Sequence, residues 1–95
     1  MGFQWDPVKD AANHDKHGIG FRAAAEIFRG FVVIAEDVRR DYGERRWIAL
    51  GEYDREIIRL VFTQRGEDIR IISAWKANRH DRETYDEEAR KARPV

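Results

Sequence analysis

The sequence predicts one α+β domain over residues 1–95, with helices before and after an antiparallel sheet. Ninety-five residues suffice for one modest hydrophobic core. Runs rich in β-branched and aromatic residues lie between residues 31 and 75, and short polar segments separate them. Such short connections join antiparallel strands, because a parallel crossover needs about a dozen residues or more. Helical patterns occupy both ends of the chain, which gives the α+β class.

The N-terminal segment predicts a short edge strand and two helices. Residues 3–5 alternate between apolar and polar side chains and suit a brief strand at a sheet edge. A helix follows over residues 7–17, with Asp6 as its N-cap and Gly18 as its left-handed C-cap. Residues 21–28 predict a second helix, because their apolar side chains recur at helical spacing.

The rest of the chain predicts four consecutive strands and a last helix. The strands cover residues 31–38, 47–50, 57–62 and 69–74, and the turns between them cover residues 41–44, 52–55 and 64–67. Asn78 suits the N-cap of a helix from about Arg79 to Ala92, and Pro94 suits its stop. The predicted order is β-α-α-β-β-β-β-α, with the helices covering one face of the sheet.

Charge and composition limit the possible functions. The chain has 18 Lys and Arg residues and 18 Asp and Glu residues, so no net charge directs it to nucleic acid or to an anionic membrane. It has no cysteine, and no second ligand pair stands beside His14 and His17, so we expect neither a metal nor another cofactor. The absence of a signal region and of a long apolar stretch predicts a cytoplasmic protein.

Lys16 and His17 are the first candidates for a chemical role. They lie at the C-terminal end of the first predicted helix, where the helix dipole favours a protonated imidazole. An imidazole that gains its charge near neutral pH can bind a phosphate or transfer a proton. The alternative is a histidine that only caps the last carbonyl groups of the helix.

Arg46, Arg59 and Arg70 form a second group, with one arginine on each of three successive predicted strands. Arg70 alternates with two isoleucines, so its side chain projects from the opposite face of its strand. If the three guanidinium groups share a face, they form an electropositive patch that stabilises extra negative charge on a phosphate. Alternatively, each arginine pairs across the sheet with one of the carboxylates of Glu44, Glu52, Glu56 and Asp68.

Lys76, Arg79 and His80 lie at or just before the start of the last helix, where free amides add to an anion site. Arg79 also has Glu83 four residues on for an ion pair, and we expect Tyr85 to pack rather than react. No Ser-His-Asp arrangement, P-loop or paired-glycine nucleotide motif is present. Cations and proton carriers without a distinctive nucleophile fit a ribonuclease, in which the 2′-hydroxyl of the RNA itself attacks.

Five sequence motifs, in this order, resemble the BrnT-type toxins of bacterial type II toxin–antitoxin systems. They are Phe3-x-Trp5-Asp6-Pro7-x-Lys9, Asn13-x-x-Lys16-His17-Gly18-x-x-Phe21-x-x-Ala24, Arg46-x-x-x-x-Gly51, Thr63-x-Arg65-Gly66 and Ile69-Arg70-Ile71-Ile72-Ser73-Ala74. The resemblance extends over nearly the whole chain, to about Tyr85. It implies a fold similar to the RelE-like ribonuclease toxins, with N-terminal helices, an antiparallel sheet and a C-terminal helix.

The resemblance also implies a function and partners. A chain of this kind cleaves RNA and arrests growth, and we expect the cleavage to need no metal ion. A BrnA-type antitoxin with a ribbon-helix-helix domain neutralises the toxin, and we expect a heterotetramer of the two proteins. Contact with DNA is expected only through the antitoxin, which binds the operon's own promoter. Carried over residue by residue, the catalytic candidates are Lys16, His17, Arg46, Arg70 and position 75, and the further substrate-binding candidates are Arg59, Lys76, Arg79 and His80.

Trp75 departs from the family pattern, which usually has arginine at this position and resumes here at Lys76. An indole can stack on an RNA base, but the exchange also removes a phosphate-binding charge. Arg and Trp codons can differ by one base, and a toxin without its antitoxin is selected for inactivating changes. We therefore expect an attenuated toxin. The alternative function is a module that binds the antitoxin or RNA without cleaving anything.

Overall fold

The computed structural model describes residues 2–93. Within that range the elements are β1 (Phe3–Gln4), α1 (Pro7–His17), α2 (Phe21–Ala24), a 3₁₀ helix (Ala25–Arg29), β2 (Val32–Glu36), β3 (Trp47–Tyr53), β4 (Glu56–Arg65), β5 (Asp68–Lys76) and α3 (Arg79–Ala92). The predicted α+β class is therefore confirmed. Pro94, the predicted stop of α3, lies outside the described residues. None of the helices in the described range has the length and apolar character needed to span a membrane.

The sheet has five strands rather than the predicted four, in the order β1-β5-β4-β3-β2. The predicted antiparallel pairing of β2 to β5 is confirmed. β1 joins this sheet parallel to β5, with Phe3 beside Ile69 and Gln4 beside Arg70. The sheet is therefore mixed, and the prediction of a purely antiparallel sheet was wrong. Short turns fix the direction of consecutive strands only, whereas all the other strands and the N-terminal helices lie between β1 and β5 in the chain.

Local signals set the ends of α1, and one of its side chains closes the open edge of β5. The Asp6 carboxylate accepts a hydrogen bond from the Val8 amide at 2.8 Å, and Gly18 has φ of 73°, as predicted. Beyond the two residues of β1, the outer edge of β5 faces α1. There the Asn13 amide donates to the Ala74 carbonyl at 2.7 Å and accepts from the Ala74 amide at 3.2 Å.

The second predicted helix, residues 21–28, is one turn of α-helix followed by a 3₁₀ helix. Its most buried side chains, Phe21, Ala24 and Ile27, recur every third residue, which is the period of a 3₁₀ helix. Ile27 packs directly over Gly51 of β3, where a Cβ atom would stand 2.6 Å from the Ile27 Cβ atom. Close contact with the sheet therefore decides the geometry of this segment.

Helices cover both faces of the sheet, and the prediction that they cover one face was wrong. The hydrophobic core lies between the sheet and the N-terminal helices and contains Phe21, Ile27, Leu60 and Ile71 among its most buried side chains. α3 packs on the opposite face, where Tyr85 stacks on Phe31 with ring centroids 5.8 Å apart. The Tyr85 hydroxyl donates to the Phe31 carbonyl at 3.2 Å, so the predicted packing role of this tyrosine is confirmed.

Candidate active site

The face of the sheet opposite to the N-terminal helices carries most of the candidate residues. On β4, Arg59 follows the buried core residue Ile58 and therefore points to the opposite face. Trp75 is the cross-strand partner of Arg59 on β5, and such partners share a face. Arg70 pairs with Thr63, which lies four residues beyond Arg59 and so on the same face.

A β-bulge in β5 makes this arrangement possible. Two consecutive residues of β4, Val61 and Phe62, pair with β5 residues that are two apart, which leaves Ile72 as an extra residue. Arg70 and Trp75 are an odd number of residues apart, so strict alternation would point them to opposite faces. The bulge shifts the alternation by one residue, and both side chains project to the same side.

Trp75 contacts two other candidate residues, namely Arg59 on this face and His17 at the end of α1, which lies along the outer edge of β5. Its ring centroid lies 5.6 Å from that of His17, and the Arg59 guanidinium lies 5.9 Å from the Trp75 ring centroid. Arg59 Nη1 donates to both carboxylate oxygens of Asp81 in α3, each at 3.0 Å. Arg59 therefore pairs with none of the cross-strand carboxylates considered in the alternative interpretation, because α3 supplies a buried carboxylate to this face. The pair leaves the Arg59 charge compensated.

Arg46 lies at the other end of the face, against an aromatic ring. Its guanidinium is 4.3 Å from the ring centroid of Tyr42, and its Nε donates to Glu44 at 3.1 Å. Arg46 thus has one of the carboxylate partners of the alternative interpretation, although Glu44 precedes it by two residues in the chain and does not lie across the sheet. Glu44 also accepts from Arg65 at 3.4 Å, so two guanidinium groups share one carboxylate. The three side chains together retain a positive charge.

Arg70 stands in the same row of the sheet as Arg46. Continuing the β3–β4 register puts Arg46 beside Thr63, whose other neighbour is Arg70. Strands are about 4.8 Å apart, so the two arginine backbones are about 10 Å apart. Arg70 Nη1 donates to the side-chain oxygen of Gln4 in β1 at 3.0 Å. Within residues 2–93 no carboxylate lies within 4.0 Å of Arg70, so its charge is uncompensated there.

The cations at the start of α3 are exposed, and two of them form ion pairs. Lys76 lies 3.1 Å from a Glu56 carboxylate, and the predicted pair of Arg79 with Glu83 is confirmed at 3.2 Å. The Lys76 and Arg79 side chains are 69% and 86% exposed. Exposed pairs of this kind contribute about 0–1 kcal/mol, so a phosphate can replace either carboxylate. Lys16 and His80 are exposed as well.

One known protein family matches the part of the chain that carries these residues. The family described as the ribonuclease toxin, BrnT, of type II toxin–antitoxin systems matches residues 5–81. The chain belongs to the BrnT family. The match contains every candidate site residue and ends at Asp81, near the start of α3. Membership in a family of type II toxins implies an antitoxin partner. No curated protein matches the chain.

Two depressions border the candidate residues of this BrnT-family chain. The larger, of about 780 Å³, lies beside His17 and Lys76, between the N-terminal helices and the β3–β4 turn. Its carboxylates, from Glu26, Asp54 and Glu56, offset its cations, so it has no excess of positive charge for a phosphate. The smaller, of about 270 Å³, lies beside Arg46. Within residues 2–93 no three His, Cys, Asp or Glu side chains form a group that could hold a metal ion.

The sequence did not indicate the structural roles of three residues near the candidate site. Tyr42 lies in a segment predicted as a simple turn, and Asp37 lies in a segment predicted as strand. Both belong to the connection 37–46, in which the Tyr42 hydroxyl donates to Asp37 at 2.9 Å. The third is Asn13, which closes the β5 edge just before Trp75. An Asp or a Tyr in a polar segment carries no local signal for these contacts.

Proposed function

We propose that this chain is a ribonuclease toxin that binds RNA across the sheet face carrying Arg46, Arg70 and Trp75. The observation that carries the proposal is the β-bulge at Ile72, because it brings Arg70 and Trp75 to the same face of the sheet. Arginine forks suit the phosphates that RNA presents along its backbone. The proposal includes one BrnT-type domain over residues 1–95, acting in the cytoplasm, where cellular RNA is available.

The spacing of the residues supports a division of labour along the RNA. Arg70 and Trp75 are five residues apart on β5, which corresponds to a distance on the order of 15 Å. The two ends of the face therefore suit different nucleotides of one strand. We assign phosphate binding to the Arg46 and Arg70 end, and proton transfer to the end with His17, the imidazole that contacts Trp75.

In the proposed reaction, the 2′-hydroxyl oxygen of the RNA attacks the adjacent phosphorus atom, and the bond from phosphorus to the 5′-oxygen breaks. The 2′-hydroxyl loses a proton and the leaving 5′-oxygen gains one, so the products are a cyclic phosphate and a free 5′-hydroxyl. The His17 imidazole is suited to carry one of these protons, because a ring nitrogen can accept a proton and donate it again. Lys16, exposed beside it, is suited to stabilise the negative charge on the phosphate. We propose that no metal ion takes part.

We further propose that Trp75 attenuates this reaction. Arg59 is the guanidinium nearest to Trp75 on the sheet, and Asp81 already compensates its charge. An arginine at position 75 would supply an additional guanidinium beside His17, whereas the indole supplies bulk and an aromatic contact. The same observation favours a second candidate function, namely a module that binds RNA or the antitoxin without cleavage.

Cleavage of labelled RNA in the presence of EDTA tests the proposal. We expect weak cleavage by the natural chain, strong cleavage by Trp75→Arg, and none by the Trp75→Arg chain that also carries His17→Gln. Arg70→Gln should weaken RNA binding, whereas Arg55→Gln, in the exposed β3–β4 turn, should not. RNA binding without cleavage by the natural chain and Trp75→Arg alike would support the second candidate. Loss of all cleavage in EDTA, restored by a divalent metal, would contradict metal independence.

For the partner, we propose a BrnA-type ribbon-helix-helix antitoxin that forms a heterotetramer with the toxin and covers Arg46 and Arg70. An acidic segment on this face would compensate the positive charge and exclude RNA at the same time. A specific interface of this kind buries at least about 1,000 Å². Co-expression with the product of the adjacent gene should give a complex that Arg70→Glu weakens and Arg55→Glu does not. An equally tight complex with both variants would show that the antitoxin docks elsewhere.

A further inference from the structure

The smaller depression lies between the connection 37–46 and the bulged part of β5. Its sheet side consists of Val61, Ile72 and Ser73, and its other side carries Asp37, Tyr42, Arg39, Arg40 and Arg46. Three of these side chains are cations and one is an anion, so the depression has a positive excess. Its volume of about 270 Å³ accommodates a small group rather than a folded partner.

A buried carboxylate organises the connection around this depression. The Asp37 side chain is 0% exposed and accepts hydrogen bonds from Nε and Nη2 of Arg39 at 2.8 and 2.7 Å. It also accepts from the Arg39 amide at 3.2 Å and from the Tyr42 hydroxyl at 2.9 Å. The Asp37 amide in turn donates to the Arg46 carbonyl at 2.7 Å. Asp37 therefore fixes both ends of the connection and the position of the Tyr42 ring.

The Tyr42 ring holds the Arg46 guanidinium from one side, and Glu44 holds it through Nε. Arg46 is 24% exposed, so it lies in a partly desolvated position where a charged hydrogen bond is stronger than in water. Within the described residues, the Arg46 guanidinium donates a hydrogen bond through Nε alone. Its Nη1 and Nη2 groups are left to bind a ligand, and two parallel N–H donors match the geometry of a phosphate.

We propose that the depression binds one phosphodiester group of the RNA through Nη1 and Nη2 of Arg46. Tyr42 and Asp37 are positioning residues, which fix the direction of that guanidinium without contacting the reacting atoms. The inference rests on the proposed role of Arg46 in RNA binding, and it adds two uncharged or anionic residues on which that role depends. Removal of Tyr42 should therefore act on RNA as if a positive charge had been lost.

The salt dependence of RNA binding measures how many phosphates the protein neutralises, and so detects the loss of one positive charge from the binding surface. The probe is a fluorescent single-stranded RNA with 2′-O-methyl groups, which cannot be cleaved by attack of its own hydroxyl. The logarithm of affinity falls with the logarithm of salt concentration, with a slope of about 0.7 per phosphate neutralised on a single strand. Arg46→Gln should reduce the slope by about 0.7, and Arg55→Gln should leave it unchanged.

Tyr42→Leu is the decisive variant, because it alters no charge. We expect the same reduction of about 0.7 in the slope, and no further reduction in the double variant with Arg46→Gln. Tyr42→Phe keeps the ring but loses the hydrogen bond to Asp37, so its affinity should fall by roughly fivefold. Tyr42→Phe differs from the natural chain by one hydroxyl group, so it tests the positioning role of Tyr42 if Tyr42→Leu does not fold.

The outcomes separate the inference from the function on which it rests. A reduced slope in Arg46→Gln with an unchanged slope in Tyr42→Leu would show that Tyr42 does not position Arg46, although Arg46 binds RNA. If Tyr42→Leu is unfolded, wild-type affinity in Tyr42→Phe would overturn the inference. An unchanged slope in Arg46→Gln would instead contradict the proposed contact between Arg46 and RNA.

Discussion

The proposed attenuation predicts that replacement of Trp75 by arginine raises the rate of RNA cleavage. One charge-assisted donor to a transition-state phosphate typically changes the rate by about 10²–10³-fold, which corresponds to roughly 3–4 kcal/mol. The nearest guanidinium, that of Arg59, is 3.0 Å from both oxygens of Asp81 and cannot serve as this donor without leaving its pair. On β5 itself the nearest carboxylate to a guanidinium at position 75 is that of Asp68, seven residues earlier in the strand.

The same replacement should lower stability by a smaller amount. The contact of Trp75 with the His17 ring, at 5.6 Å, is of a kind that contributes about 0.5–1.5 kcal/mol. The contact with the Arg59 guanidinium, at 5.9 Å, contributes about 0.5–1 kcal/mol. The sum is about 1–2.5 kcal/mol, so the midpoint of thermal unfolding should fall by roughly 4–20 °C. Asp81 compensates Arg59, which limits repulsion between the two arginines.

Single-turnover cleavage of a labelled RNA in EDTA measures the effect on the rate. A thermal melt of each variant measures the effect on stability. Trp75→Met is the matched control, because it removes the ring without adding a charge. It should lose similar stability and gain no activity, whereas Trp75→Lys should gain less than Trp75→Arg, since it lacks the planar fork. Expression of the Trp75→Arg gene alone should arrest growth. Equal cleavage by folded Trp75→Arg and the natural chain would refute the reasoning, and an equal gain in Trp75→Met would assign the attenuation to bulk.

Three further predictions concern the framework around this face. Asn13→Ala should lower the free energy of unfolding in urea by about 2–4 kcal/mol, because both backbone groups of Ala74 lose their partner; a loss below about 1 kcal/mol would contradict this reading. Gly51→Ala should cost about 1–3 kcal/mol, since the new Cβ atom meets Ile27 at 2.6 Å, and an unchanged urea midpoint would show that the contact relaxes freely. Hydrogen bonds from Arg39 hold the pKa of the Asp37 carboxyl group well below its usual 3.8. The ionised carboxylate therefore stabilises the fold fully above about pH 4, and this stabilisation is lost as the pH falls toward the folded-state pKa. Asp37→Asn should therefore lower the free energy of unfolding by about 1.5–3 kcal/mol at pH 7 and by less at pH 3. An equal loss at both pH values would be inconsistent with an ionised Asp37.

Local signals in the sequence determined most of the helices and strands of this protein. Caps at Asp6, Gly18 and Asn78 lie where the sequence predicted them, because a cap depends on backbone groups within a few residues of it. The β-branched runs gave the four long strands and their antiparallel order for a similar local reason. The kinds of residue at the candidate site were also visible, since Arg, Lys and His are read directly from the sequence.

Tertiary structure decided how those residues are grouped. The bulge at Ile72 depends on how β5 pairs with β4, and it alone puts Trp75 on the same face as Arg70. The partner of Arg59 comes from α3, twenty-two residues away, and compensates a charge that the sequence presents as available. The parallel pairing of β1 likewise joins the start of the chain to β5, far along the sequence. Alternation and capping act over a few residues, whereas the neighbour of a side chain across a sheet depends on every turn and bulge between the two strands.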